Sequence, residues 1–135
     1  MPMQKTILLV DDEPHVIRIL RLALEKENYR VLTAYNGVMA LEILAENTPD
    51  IVISDLDMPR MDGKELYNQI EKKFPNRNFL IIILTSRAEK DHRYWASTIP
   101  NLEFLEKPVS VKNLKLTLEN FFIAGKAQND PTTSR

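Results

Sequence analysis

The 135-residue chain reads as an α/β domain: a five-stranded parallel sheet, doubly wound, with helices on both faces. Three observations predict this. Apolar runs rich in β-branched residues recur five times, and segments with apolar residues three and four positions apart separate them. The runs are also nearly unbroken in apolar residues, as expected of strands covered on both faces. Right-handed crossovers then settle most of the topology.

The strands are expected at residues 7–10, 31–34, 51–53 and 79–84, with a weaker fifth at 102–105. Helices are expected around Val16, Ile19, Leu20 and Ala23; around Val38, Leu41, Leu44 and Ala45; around Leu66, Ile70 and Phe74; and around Val111, Leu114, Leu118 and Phe121. A further helix over 88–97 has only a ragged stripe of Ala88, Trp95 and Ala96, and Trp95 fits either a core or a contact position. The stretch GKAQNDPTTSR is polar and aperiodic, so residues 1–124 are expected to form the domain and 125–135 a flexible tail or linker stub.

Composition excludes several classes of function. Eighteen basic and 19 acidic side chains leave a net charge of -1, which provides no field to gather nucleic acid or anionic lipid. There is no cysteine, hence no disulfide, thiolate metal site or thiol nucleophile. The first residues, MPMQKT, contain no signal-peptide core, and the longest purely aliphatic or aromatic run, over 79–84, is too short to span a bilayer. A cytoplasmic location with no membrane attachment is the expectation. Neither GxGxxG nor GxxxxGK[ST] occurs, which argues against a nucleotide-binding module.

The informative residues follow the strands. Asp11 and Asp12 follow the first, Asp55 the third, Thr85 the fourth, and Glu106 and Lys107 the fifth. In a parallel sheet all these ends lie along one edge, where open α/β sheets bind ligands. Asp12 also suits a helix cap ahead of Pro14, but a single cap does not account for two carboxylates. Asp62 with Gly63 reads as a cap and turn, and Asp57 as a residue whose carboxylate is solvated while its backbone carbonyl faces the site.

Carboxylates gathered at one edge repel one another unless cations intervene, and Lys107 with a divalent ion would supply them. Oxygen ligands without cysteine favour Mg2+ over zinc or copper. A carboxylate nucleophile, a divalent ion, a lysine and a hydroxyl are the parts that phosphoryl transfer needs.

DD at 11 and 12, SDLDMPRMDG from 54 to 63, LTS at 84 to 86 and EKP at 106 to 108 together resemble the receiver domain of two-component response regulators, over roughly residues 5–123. The resemblance implies a flavodoxin-like sheet of strand order 2-1-3-4-5 and a cis peptide between Lys107 and Pro108. It implies that Asp55 accepts a phosphoryl group from a histidine kinase or histidine phosphotransfer protein. Asp12, Asp55 and the backbone carbonyl of Asp57 would ligate Mg2+, with Asp11 acting mostly through a bound water. Lys107 would pair with the phosphoryl oxygens, and Thr85 and Phe104 would be the switch residues. Such a protein catalyses only its own phosphoryl uptake and loss, and signals by changing protein contacts with an unknown downstream protein, with a phosphorylation-dependent dimer left open.

The chain departs from the family pattern in two places. STIPNLEF puts Pro100 and Asn101 where a small Gly-Ala turn is common, and HRYW stands where small residues are common. Leu116 and Ile123 lie off the inner stripe of the last helix and read as ordinary exposed apolar residues or, alternatively, as a partner surface. Two other functions compete: a receiver belonging to a longer multidomain regulator, and a haloacid-dehalogenase-like phosphatase using Asp55 and Asp57 as its DxD motif. The phosphatase normally carries an acidic pair after that motif, whereas here the pair precedes it.

Overall fold

The computed structural model describes residues 4–86 and 99–129. Within them the elements are β1 (Thr6–Val10), α1 (Pro14–Lys26), β2 (Arg30–Ala34), α2 (Gly37–Glu46), β3 (Ile51–Asp55), α3 (Gly63–Lys73), β4 (Leu80–Thr85), β5 (Leu102–Glu106) and α4 (Val111–Asn129). The helix expected over 88–97, and Trp95 with it, lies outside the described residues. Every pairing is parallel and the strand order is β2-β1-β3-β4-β5, as the resemblance implied.

Alternate residues of the central strands face opposite cores, because successive side chains on a strand point to opposite faces. Leu8, Val10, Val52, Ile81 and Ile83 pack with Ala40 and Leu44 of α2 and Leu66 and Ile70 of α3. Ile7, Leu9, Ile51, Ile53, Ile82 and Leu84 pack with Leu20 and Leu24 of α1 and Leu114 and Leu118 of α4. Burial on both faces explains why these strands are continuously apolar.

Short polar side chains start the helices. Asn36 Oδ1 accepts the Met39 N–H at 2.8 Å to open α2, and Asp62 Oδ1 accepts the Glu65 N–H at 2.8 Å to open α3. Ser110 Oγ accepts the Asn113 N–H at 3.1 Å ahead of α4. The helix start at α1 is different: Pro14 occupies its first turn, and the capping position is Glu13, without a side-chain bond. Asp12 is therefore not the cap.

In two helices the buried face is turned partway from the predicted stripe, although Leu20 and Leu44 are buried as expected and Val16 and Leu41 pack at the edge of the core. On α1 the buried residues are Ile17, Leu20 and Leu24, and Ile19 is 59% exposed. On α2 they are Gly37, Ala40 and Leu44, and Val38 is 57% exposed. Both helices carry apolar residues around most of their circumference, so spacing admits two phases and the underlying strand selects one. Leu66 and Ile70 of α3 and Leu114 and Leu118 of α4 are buried as expected, while Leu116 and Ile123 are exposed.

The last helix continues past residue 124 to Asn129. Ala124, Lys126, Ala127 and Gln128 are good helix formers and outweigh the cost of Gly125. The Pro100 and Asn101 turn also has a structural account. Asn101 takes a left-handed φ of 59°, which asparagine tolerates better than most residues, and its carbonyl accepts the Ile81 N–H at 2.9 Å.

Candidate functional site

The carboxyl ends of β1, β3, β4 and β5 lie side by side, which carries the residues beyond them to one edge. Asp55 continues the row of Ile51 and Ile53, and Asp11 that of Ile7 and Leu9, so the two carboxylates point to the same face. Both are almost closed off from solvent, at 3% and 4% exposure. Backbone bonds hold the frame: the Asp11 N–H donates to the Ala34 carbonyl at 3.1 Å, and the Lys107 N–H to the Thr85 carbonyl at 2.7 Å. The peptide between Lys107 and Pro108 is cis. Thr85 is buried, Phe104 is half-buried and packs against the α2 and α3 core, and Asp12 and Asp57 are exposed.

Asp11, Asp12 and Asp55 each offer a carboxylate oxygen, all within 4.8 Å of one another. The Lys107 ammonium stands 2.8 Å from Asp55 Oδ1. This is a charge contact rather than an aligned hydrogen bond, because Asp55 Oδ1, like Asp11 Oδ2, is buried without a hydrogen-bond partner among the described residues. The other oxygen of Asp11, Oδ1, accepts the Glu13 N–H at 2.9 Å.

Burial dominates the electrostatics. It pushes the Asp55 carboxyl above the usual carboxylate range, and the adjacent Lys107 ammonium, followed by the Asp57 backbone N–H, offsets that rise only in part. Asp11 is raised mainly by burial as well, with the Asp55 and Asp12 charges adding to it against the Glu13 N–H and Lys107. Burial alone would lower the Lys107 pKa, but Asp55, then Asp11 and Glu13, more than compensate, so it is raised.

The donor set suits a hard cation. Among the described residues two buried carboxylate oxygens lack hydrogen-bond donors, a third carboxylate is in reach, the candidate ligands are all oxygen, and the exposed Asp12 leaves one side open to water. Among the described residues the Lys107 ammonium is the cation recorded against these three carboxylates, which leaves negative charge that a divalent ion would neutralise.

The structure brings Asp11, Asp12, Asp55 and Lys107 together, places Thr85 beside them through the Lys107 N–H, and leaves the Asp57 side chain outside the carboxylate cluster. Three contributors went unnoticed in the sequence. Glu13 supplies a backbone donor to Asp11. Ser54 bonds the Asp55 carbonyl. Gly63 lies so close to β3 that an added Cβ would stand 2.7 Å from the backbone carbonyl oxygen of Asp55. Only the glycine left a trace, as the break after Asp62.

Comparison with known proteins agrees with this geometry. The model for the response regulator receiver domain matches residues 7–119. The response regulator GtcR of Aneurinibacillus migulanus is 35% identical over 108 residues, which are 78% of this chain and 43% of that protein. The transcriptional regulatory protein GlrR of Escherichia coli strain K12 is 40% identical over 103 residues, 76% of this chain and 23% of that protein. The chain thus spans less than half the length of these relatives.

Among solved structures, a response regulator receiver domain protein from Clostridium thermocellum has a TM-score of 0.80 at 31% identity, covering 90% of this chain and 97% of that one. The response regulator TrrA of Thermotoga maritima, crystallised in complex with Mg2+ and BeF, has a TM-score of 0.74 at 32% identity, covering 87% of this chain and 98% of that one. The chain belongs to the response regulator receiver domain family of two-component systems.

Proposed function

We propose that this receiver accepts a phosphoryl group on Asp55 from a phosphohistidine of a histidine kinase or histidine phosphotransfer protein, in the cytoplasm, and signals by altered protein contacts. The observation that carries the proposal is the state of Asp55: a carboxylate at the end of a central strand whose Oδ1 is buried against Lys107 and has no aligned hydrogen-bond donor among the described residues. An oxygen so placed keeps its lone pairs for attack.

Asp55 Oδ attacks phosphorus, the P–N bond to imidazole breaks as the O–P bond forms, and the imidazole leaves with a proton from solvent. Lys107 faces the developing equatorial charge, and Thr85 offers a hydroxyl to the new phosphoryl oxygens. Asp12, Asp55 and the Asp57 carbonyl would hold Mg2+, with Asp11 acting through water. Bound there, the ion neutralises phosphoryl charge and orients the donor. The TrrA complex with Mg2+ and BeF supports the assignment by relation. Thr85 and Phe104 would convert occupancy into a population shift of the surface around β5.

The length of the relatives favours the receiver being one part of a longer regulator. The match over residues 7–119 is to the response regulator receiver domain, which favours the receiver over the DxD reading of Asp55 and Asp57. No helix among the described residues is long and apolar enough to cross a membrane.

The test is incubation with acetyl phosphate and Mg2+. Intact mass should rise by one phosphoryl group, and Asp55→Asn should abolish the rise. Undiminished labelling of that variant would remove Asp55 from the role.

A further inference from the structure

We infer that Ser54 is a positioning residue for the phosphoacceptor: its hydroxyl fixes the peptide that leaves Asp55. Ser54 is 1% exposed. It continues the row of Val52, next to Val10 and Ile83 in the pairing of β3 with its neighbours, facing the apolar core of α2 and α3 rather than the carboxylate cluster. A hydroxyl buried in such a row needs an acceptor. Its acceptor is the Asp55 carbonyl, at 3.0 Å.

That carbonyl is where the sheet stops supporting β3. The pairing of β1 with β3 ends at Val10 and Ser54, one residue before Asp55, so β1 offers Asp55 no ladder partner. The Asp55 carbonyl and the Leu56 N–H belong to one peptide unit. The N–H is held by the Leu84 carbonyl at 2.8 Å, on the β4 side. Ser54 holds the oxygen, Gly63 lies against the same atom, and the Gly63 N–H bonds the next carbonyl, Leu56, at 2.8 Å. With both polar groups of the peptide anchored, ψ of Asp55 is fixed. Backbone angles select side-chain rotamers, so the direction of the attacking carboxylate follows.

This inference rests on the reading of Asp55 as phosphoacceptor, and it concerns geometry present before any ion binds. Three proteins test it: wild type, Ser54→Ala, and Ser54→Thr, which keeps the hydroxyl. In metal-free protein, amide hydrogen exchange at Leu56 and Gly63 should quicken in Ser54→Ala relative to amides deep in β4 such as Ile82. At saturating Mg2+, uptake from acetyl phosphate should slow about tenfold, because a misdirected nucleophile loses rate steeply, while the half-saturating donor concentration stays unchanged. Ser54→Thr should restore both.

A Ser54→Ala protein with wild-type uptake, or one whose amides all exchange faster to the same degree, would overturn the inference, since the second pattern marks a purely structural role. Failure of the phosphoacceptor reading would show separately, as a wild-type protein that takes up no phosphoryl group or an Asp55→Asn protein that still does.

Discussion

Lys107 and Asp55 meet at 2.8 Å although Asp55 ends β3 and Lys107 follows β5, strands that do not touch, since β4 lies between them. The Lys107 N–H bond to the Thr85 carbonyl sets the distance, because it ties the end of β5 to the end of β4. Lys107 remains partly solvated while Asp55 is buried, so the lysine keeps its charge at neutral pH at little cost.

Lys107→Ala should slow phosphoryl uptake by about two orders of magnitude, the usual loss when a preorganised charge is removed from a transition state. The partly exposed side chain predicts little loss of stability. Stopped-time intact-mass measurements with acetyl phosphate would read the rate, and wild-type kinetics would remove Lys107 from the mechanism.

Asp11 and Asp55 titrate above the unfolded-state value of 3.8, so the metal-free folded state binds protons more tightly than the unfolded state. The stability they contribute is present below about pH 3.8 and lost as pH rises through their raised values. At neutral pH the two charges are a standing penalty. Metal-free Asp11→Asn should therefore be more stable at pH 7, by on the order of 1 kcal/mol, with an advantage that shrinks as pH falls toward 4. With Mg2+ at 100 times its Kd the wild type gains about 2.7 kcal/mol, which the weaker-binding variant should not match. Calorimetry with and without Mg2+ across pH would show the crossing, and a variant less stable than wild type without Mg2+ would contradict it.

Gly63→Ala sets two effects against each other. Alanine favours the first turn of α3 by up to about 1 kcal/mol, but its Cβ would lie 2.7 Å from the Asp55 oxygen and 2.9 Å from the Leu56 Cα, both backbone atoms. Backbone cannot swing aside as a side-chain tip does, so the clash should win with a net loss of about 2 kcal/mol, read from the urea midpoint at unchanged m-value.

Arg77 predicts the opposite separation. Its side chain is 5% exposed, pairs with Glu71 at 2.6 Å, donates to the Phe79 carbonyl at 2.6 Å, and packs over the rings of Tyr67 and Phe79. A further bond reaches the Asn101 carbonyl at 3.4 Å. Arg77→Met should cost about 2 kcal/mol, chiefly because the Phe79 carbonyl loses its donor, and Arg77→Lys should not rescue it, because an ammonium lacks the planar fork. Phosphoryl uptake well below the melting temperature should be unchanged, since this cluster lies at the opposite end of β4 from Thr85.

The strands and the residues after them were legible because burial on both faces leaves unbroken apolar runs, and Asp11, Asp55, Thr85 and Lys107 interrupt those runs at their ends. Helix phase was less legible. Ile19 and Val38 are as apolar as Ile17 and Ala40, and only contact with the strands decides which of them turns inward. Arg77 was not singled out, because nothing adjacent in sequence distinguishes an arginine that folds back over Tyr67 and Phe79 from one in solvent.

Local sequence thus determined which segments extend, which coil, and which chemical groups stand at the strand ends, all of which follow from side-chain pattern within a few residues. Tertiary structure decided the rest: that Lys107 reaches Asp55 rather than solvent, that Asp11 Oδ2 lies buried beside Asp55, and that Ser54 and Gly63 close on one carbonyl. Those outcomes depend on strand register and on packing between segments far apart in the chain, and no local pattern encodes a distance of that kind.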